Sequence, residues 1–226
     1  MQEQFSSGEI ILIDKDSGWT SYDVVRKVKR LTGAKRVGHA GTLDPLATGL
    51  LVVCSERMTK QISTIQDAEK EYTGTFYIGA TTPSFDLETE TDCEYDTGHI
   101  TSDLLEAVFR SFTGELEQIP PLFSAVKVNG QRAYKIARRG EHAELKARKV
   151  IIREFEITRC ALPEVDFRVV CTKGTYIRSL ARDVGTALGA GAYLKALRRT
   201  RIGSHRIEDA RTIAGMEEQL PKPGQP

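Results

Sequence analysis

Apolar positions along this chain repeat with two different periods, and the period assigns each element. The run EIILIDK, from Glu9 to Lys15, is short, apolar and flanked by charge, so it reads as a strand. Val24, Val25, Val28 and Leu31 then recur at helical spacing, with Thr20 and Ser21 as capping residues and Gly33 as the stop. Residues 50 to 55, LLVVCS, return to a strand, and Lys70 to Ala80 alternates with β-branched and aromatic residues in the same way. SDLLEAVFRSF after Thr101 predicts a helix ended by Gly114, and AYKIARRG a short one ended by Gly140. Between them IPPLFSAVKV reads as extended, because a residue preceding proline avoids the helical region. Two long strands, RKVIIREFEITRC and VDFRVVCTKG, predict a hairpin around Pro163. The amphipathic helix YIRSLARDVGTAL and the strand AYLKALRRTRIG follow, and the tail PKPGQP reads as disordered.

Strands outnumber helices and often follow one another directly, which predicts an α+β fold with a mixed, largely antiparallel sheet flanked by helices. No repeat and no Pro-, Gly- or Ser-rich linker divides the 226 residues, so one domain is the simplest reading. Composition is that of an ordinary globular protein, 40% hydrophobic and 28% charged, with no apolar run long enough for a membrane span and no secretory signal. Cys54, Cys93, Cys160 and Cys171 are scattered without a CxxC pair, which fits reduced thiols in the cytoplasm. His39, His99, His142 and His205 show no ligand spacing either, so no metal is expected.

The formal net charge of +1 conceals a partition. From Asp86 to Glu117 ten acids face Arg110 alone, whereas Lys127 to Arg153 carries nine basic residues against Glu141 and Glu144. Lys173 to Arg206 adds eight more against Asp183. Two basic blocks on a near-neutral chain fit a phosphate-bearing partner, and equally a solvated basic face.

Candidate chemistry centres on GHAGTLDPLATG, residues 38 to 49, where one carboxylate, Asp44, sits among three glycines, two threonines, His39 and Pro45. Pro45 biases Asp44 to the extended region, and the glycines permit sharp bends or close approach to a ligand. Such a loop can present a nucleophile or base at a cleft, and Asp-Pro is also a common turn former. Arg178 lies beside the apolar stripe Ile177, Leu180, Val184 and Leu188, where it either finds an anionic partner or snorkels to water. Tyr72 and Tyr176 are either stacking rings or core aromatics with a polar tip.

The order of these segments is more informative than any one of them. GHAGTLDPLATGLL, KEYTGTFYIGATTPSFD, FTGELEQIPPLFSAVKVNGQRAYKIARRG, CTKGTYIRSLARDVG and YLKALRRTRIG together resemble the TruB family of tRNA pseudouridine synthases, from about Ile10 to about Ile207. The aspartate loop is shared loosely among pseudouridine synthases at large, and the Q-x-P-P-x-F-S-A segment narrows the likeness to TruB. The resemblance implies a pseudouridine synthase fold, with a catalytic domain over 1–207 and a short C-terminal helix and disordered tail over 208–226. It leaves no room for the PUA-type C-terminal domain that many members carry.

Residue by residue, the resemblance implies that Asp44 is the nucleophile and that Arg178 pairs with it and keeps it ionised. Tyr72 would stack on the target uracil and serve as the base. His39, Tyr176 and Leu197 would line the substrate pocket, and Asp86, the last residue of T-x-S-x-D, would help hold the flipped base. Lys15 and Lys60 match basic positions of the family with either a structural or an RNA-contact role. Asp16 and Thr89 stand where the family commonly has proline and glycine. The implied reaction is isomerisation of uridine 55 in the T-loop of tRNA, without a cofactor and without a guide RNA. Nothing demands more than a monomer. The competing reading is a tRNA-binding or folding module that does no chemistry.

Overall fold

The computed structural model describes residues 7–124, 126–128, 130–141 and 143–219, so the expected disorder of residues 221–226 falls outside it, as does His142. In chain order the strands are β1 (Ile10–Lys15), β2 (Val37–His39), β3 (Thr48–Ser55), β4 (Lys70–Ile78), β5 (Ala80–Thr81), β6 (Cys93–Glu94), β7 (Gly114–Gln118), β8 (Lys127–Val128), β9 (Gln131–Arg132), β10 (Arg148–Ala161), β11 (Glu164–Cys171), β12 (Ala192–Ile202) and β13 (His205–Arg206). The helices are α1 (Ser21–Thr32), α2 (Ile62–Asp67), α3 (Ser102–Ser111), α4 (Ala133–Ala137), α5 (Ile177–Leu188) and α6 (Ile213–Gln219). Contacts group the chain into two compact units, 1–72 with 197–226, and 73–196.

In the first unit β3 is central. It pairs antiparallel with β1 from Ile10↔Cys54 to Lys15↔Gly49, antiparallel with β2, and parallel with β12 at Arg198↔Thr48 and Arg199↔Gly49. Successive side chains of a strand point to opposite faces. Leu51 and Val53 accordingly join Ile11, Ile13, Val24, Val28, Ile213 and Met216 in one core, beneath α1 and α6. Leu50, Val52 and Cys54 join Ala40, Ile65 and Ile202 in the other. A strand buried on both faces reads as a continuous apolar run, which is the pattern of LLVVCS. Helix α1 is held as the sequence predicts: Thr20 and Asp23 form a reciprocal capping box, and Gly33, at φ +68°, accepts the left-handed turn that ends the helix.

The second unit is built on the β10–β11 hairpin, with β7 antiparallel on the other edge of β10 from Arg148↔Gln118 to Ile152↔Gly114. One face carries Phe76, Phe155 and Phe167 against Phe109 of α3, with ring centroids 4.2 Å apart for Phe76–Phe167 and 4.3 Å for Phe109–Phe155. The other face is laced with exposed ion pairs, Arg168 to Glu154 and Arg159 to Asp166, the half-polar alternation of an antiparallel sheet. Among the strand pairs whose register is described, β3–β12 is parallel and β1–β3, β2–β3, β7–β10, β10–β11 and β12–β13 are antiparallel, so the α+β class and the largely antiparallel character both stand.

Two elements differ from the sequence reading. Helix α3 ends at Ser111 with Phe112 as its cap, and Gly114 instead opens β7, where its φ of +110° turns the chain into the strand. Residues 56 to 67, unassigned from sequence, form a 3-10 turn over Glu56–Gln61 that runs into α2. Their apolar residues Met58, Ile62 and Ile65 do lie at helical spacing and pack on the second core of the first unit. No described helix is long and apolar enough to cross a membrane.

Cysteine burial gives a first prediction. Cys54 and Cys171 are buried and Cys93 and Cys160 exposed, and burial pushes the Cys54 thiol up to about 11. A disulfide-exchange reagent should therefore titrate Cys93 and Cys160 rapidly in the native protein and the other two only in denaturant. Rapid reaction of a Cys54-only variant would contradict this packing.

Candidate functional site

The first unit holds its aspartate by fixing the backbone on both sides of it. Ser21, the first residue of α1, accepts from Leu43 N at 2.9 Å and donates to Leu43 O at 3.1 Å. Pro45 O, on the far side, accepts from Lys15 Nζ at 3.1 Å and from Gly18 N at 2.9 Å. Asp44 O closes the turn by accepting from Ala47 N at 3.1 Å. The carboxylate, half-buried, is thus carried on a segment clamped by the end of β1 and the start of α1. The residues that reach the loop, Lys15 and Ser21, lie 30 and 22 positions from the residues they hold, so local sequence pattern does not reveal the clamp.

Lys15 is only 1% exposed, and its ammonium also donates to Asp16 O at 2.9 Å and Trp19 O at 2.7 Å. Burial lowers its pKa from 10.5 to about 8, against the attraction of Asp16 and then Asp44. Lowering a folded-state lysine pKa means that between about 8 and 10.5 the unfolded chain binds more protons than the native one. Stability contributed at this site therefore rises with pH across that window and is lowest below it, where both states are charged. At ~1.36 kcal/mol per unit, the shift corresponds to about 3 kcal/mol. Unfolding free energies of wild type and Lys15→Met, compared through the same pH range, should diverge in favour of wild type as pH rises; parallel curves would refute the assignment.

Arg199, also 1% exposed, comes to the same loop from β12. Nε donates to Leu50 O at 2.8 Å, Nη2 donates to Gly41 O at 2.9 Å, and the guanidinium hydrogen-bonds the Tyr72 side chain. A Cβ at Gly49 would strike the Arg199 backbone, and the Gly49 φ of +97° is glycine territory, which explains the last glycine of the motif. His39 is half-buried nearby. Burial first, and then the Arg199 cation, hold its pKa below the ordinary imidazole value, so the ring is neutral at neutral pH. Its Nδ1 is buried with no hydrogen-bond partner among the described residues. Tyr72 is 9% exposed, and Leu197 lies half-buried with its carbonyl accepting from Thr48 Oγ1 at 3.3 Å. The first unit therefore contains four of the expected residues, His39, Asp44, Tyr72 and Leu197. To them it adds Lys15, which the sequence left between two roles, and Arg199, which the sequence placed only in a basic block.

The other three expected residues belong to the second unit. Arg178 is 3% exposed, and its Nε stands 3.5 Å from Asp86 Oδ2. Its Nη1 donates to Ser84 O at 3.2 Å and its Nη2 to Phe123 O at 2.9 Å. Asp86, 5% exposed, accepts from Glu88 N at 2.9 Å, and its backbone carbonyl accepts from Thr82 Oγ1 at 2.7 Å and Ser84 Oγ at 3.1 Å. That arrangement explains the T-x-S-x-D spacing: both hydroxyls fold the turn that delivers the acid. Tyr176 is half-buried; its backbone N–H donates to Gln118 Oε1 at 2.8 Å, its carbonyl accepts from Gln118 Nε2 at 3.1 Å, and its ring lies under the Arg148 guanidinium, 5.1 Å from the centroid. Among the described residues no group of three or more His, Cys, Asp or Glu side chains is placed to hold a metal.

A clamped carboxylate with two buried cations and a neutral imidazole on the same unit suits nucleophilic or electrostatic work at an electron-poor carbon. Comparison with known proteins narrows this. Residues 29–177 match the family model of the TruB family pseudouridylate synthase N-terminal domain, and 178–221 match that of the tRNA pseudouridylate synthase B C-terminal domain. The chain is 53% identical over 225 residues to a tRNA pseudouridine synthase B of Flavobacterium johnsoniae, covering 96% of this chain and 98% of that one. The protein of the same name from Phocaeicola vulgatus is 53% identical over 222 residues, covering 96% and 94%. Among solved structures, a chain of a Cbf5-Nop10-Gar1 complex superposes with a TM-score of 0.74 at 31% identity. That likeness covers 95% of this chain and 55% of the other, so this chain spans about half the length of that neighbour.

Proposed function

The chain belongs to the TruB family of pseudouridylate synthases, and on that premise we propose that it isomerises uridine to pseudouridine at position 55 of the T-loop of tRNA, with Asp44 as nucleophile. The observation that supports this most directly is the Asp44 loop, fixed at Leu43 by Ser21 and at Pro45 by Lys15. In the reaction the bond from C1′ to N1 breaks, the uracil turns, and C1′ joins C5. The proton displaced from C5 leaves to a base, N1 gains one, and no atom or electron is lost. A carboxylate serves this by attacking C1′ or stabilising its oxocarbenium-like character, as in retaining glycosidases, and attack on the ring or a glycal route would use the same group. Tyr72 supplies a stacking face for the extruded base and, as its phenolate, accepts the C5 proton. His39, Tyr176, Leu197 and Asp86 contact the substrate, and pairing of Arg178 with Asp44 is part of the same proposal.

The basic blocks meet phosphates of the T-arm stem-loop, and the protein acts as a monomer without a guide RNA. The test is pseudouridine mapping in an unmodified tRNA transcript incubated with purified protein alone. Modification at position 55 supports the reading. Binding without modification would favour the non-catalytic module, and modification only after a guide RNA is added would reverse the stand-alone assignment.

A further inference from the structure

We propose that Arg199 is a positioning residue for this reaction, setting the Tyr72 hydroxyl and the Gly41 end of the Asp44 loop at the same time. Burying a guanidinium in a core is costly, and an apolar side chain would fill the same space without that cost. Its neighbours on β12 offer the contrast. Arg198 forms a forked pair with Asp14, at 2.7 and 3.0 Å, and Arg201 pairs with Glu69 at 3.1 Å. Arg199 is buried more deeply than either, yet no carboxylate among the described residues pairs with it. Its donors go to two backbone carbonyls and to a phenol.

The choice of partners gives the role. Leu50 O and Gly41 O lie on either side of the Asp44 turn, so one rigid fork spans the loop from the strand that follows it to the bend that precedes it. Gly41 takes φ +93°, a conformation L side chains rarely adopt, and a Cβ there would be in ordinary contact, at 3.4 Å, with Nη1 of the same guanidinium. Arginine has no acceptor, so in the third bond the Tyr72 oxygen accepts. That fixes where the phenolic O–H can point. It also leaves a preorganised cation beside that oxygen, which favours the phenolate needed to take up the C5 proton. Loop and ring are thereby coupled through a residue that need not touch the substrate.

This inference rests on the reading of Asp44 and Tyr72 given above, and its test separates the two. Arg199→Lys and Arg199→Met would each be made alone and with Tyr72→Phe, and single-turnover rates and tRNA Kd measured. Arg199→Lys should lower the rate about tenfold or more with Kd within about twofold, and should cost less than about threefold when added to Tyr72→Phe. Arg199→Met, which removes the buried charge while keeping an unbranched stem, is the second variant should lysine not be accommodated, and the same non-additivity is expected of it. A folded variant with a rate within about threefold of wild type, or equal fractional losses in both backgrounds, would overturn the inference. A fully active Tyr72→Phe protein would do so by itself. If Asp44→Asn stays active, the underlying reading fails; if Asp44→Asn is inactive while the Arg199 variants are not, only the positioning role fails.

Discussion

Asp44→Asn is expected to abolish pseudouridine formation, by about 10⁴-fold or more, while leaving tRNA affinity within about twofold. The geometry makes this substitution unusually clean. The loop is held by hydrogen bonds to the backbone of Leu43 and Pro45, none of which uses the Asp44 carboxylate, so the amide enters the same turn. What changes is charge. An amide oxygen is a poor nucleophile and cannot stabilise a cationic sugar carbon, whereas phosphate contacts from the basic blocks are unaffected. Removing the carboxylate also removes one of the attractions that hold the Lys15 proton, so the ammonium of Lys15 should titrate below its wild-type value of about 8. A tritium-release assay beside filter binding separates the outcomes. Turnover within about tenfold of wild type would end the nucleophile assignment, and a parallel loss of binding would show that the loop had collapsed.

How much of this was written in local pattern differs from element to element. Helix α1 was fully legible, because its cap, apolar stripe and terminal glycine all lie within fourteen consecutive residues and each acts locally. The β10–β11 hairpin was legible for the same reason. The segment 56–67 was missed although its apolar spacing is helical, because it is split into a 3-10 turn and a helix of six residues each, too short for three apolar positions to stand out as a stripe. The importance of GHAGTLDPLATG was visible in its density of glycines, but not what holds it. Lys15 and Ser21 precede the loop, and Arg199 follows it by more than 150 positions. A buried cation whose partners are backbone carbonyls leaves no complementary acid in the sequence to search for. Arg199 therefore looks the same on paper as Arg198 beside it, which has Asp14. Asp86 is the reverse case. Its motif pointed to a functional acid, and the second unit shows that it also has a structural partner in Arg178.

That partnership gives the largest stability effect expected in the molecule. Asp86→Ala should destabilise the protein by about 3–5 kcal/mol, the usual cost of removing one member of a buried ion pair. Arg178 is 3% exposed, so the pair it makes with Asp86 is shielded from water. Two of its donors remain satisfied by Ser84 O and Phe123 O, so what the substitution removes is the carboxylate 3.5 Å from Nε, a buried charge–charge attraction that a neutral carbonyl does not replace. The same change also strips the acceptor from Glu88 N, loosening the turn that Thr82 and Ser84 build. Asp86→Leu combined with Arg178→Met removes both charges and should recover most of the lost stability without recovering activity. Urea unfolding of the two variants, followed by circular dichroism, makes the comparison. If Asp86→Ala costs less than about 1 kcal/mol, the Asp86 carboxylate contributes little to holding the guanidinium, and Asp86 is then free to be read as a residue kept for the substrate.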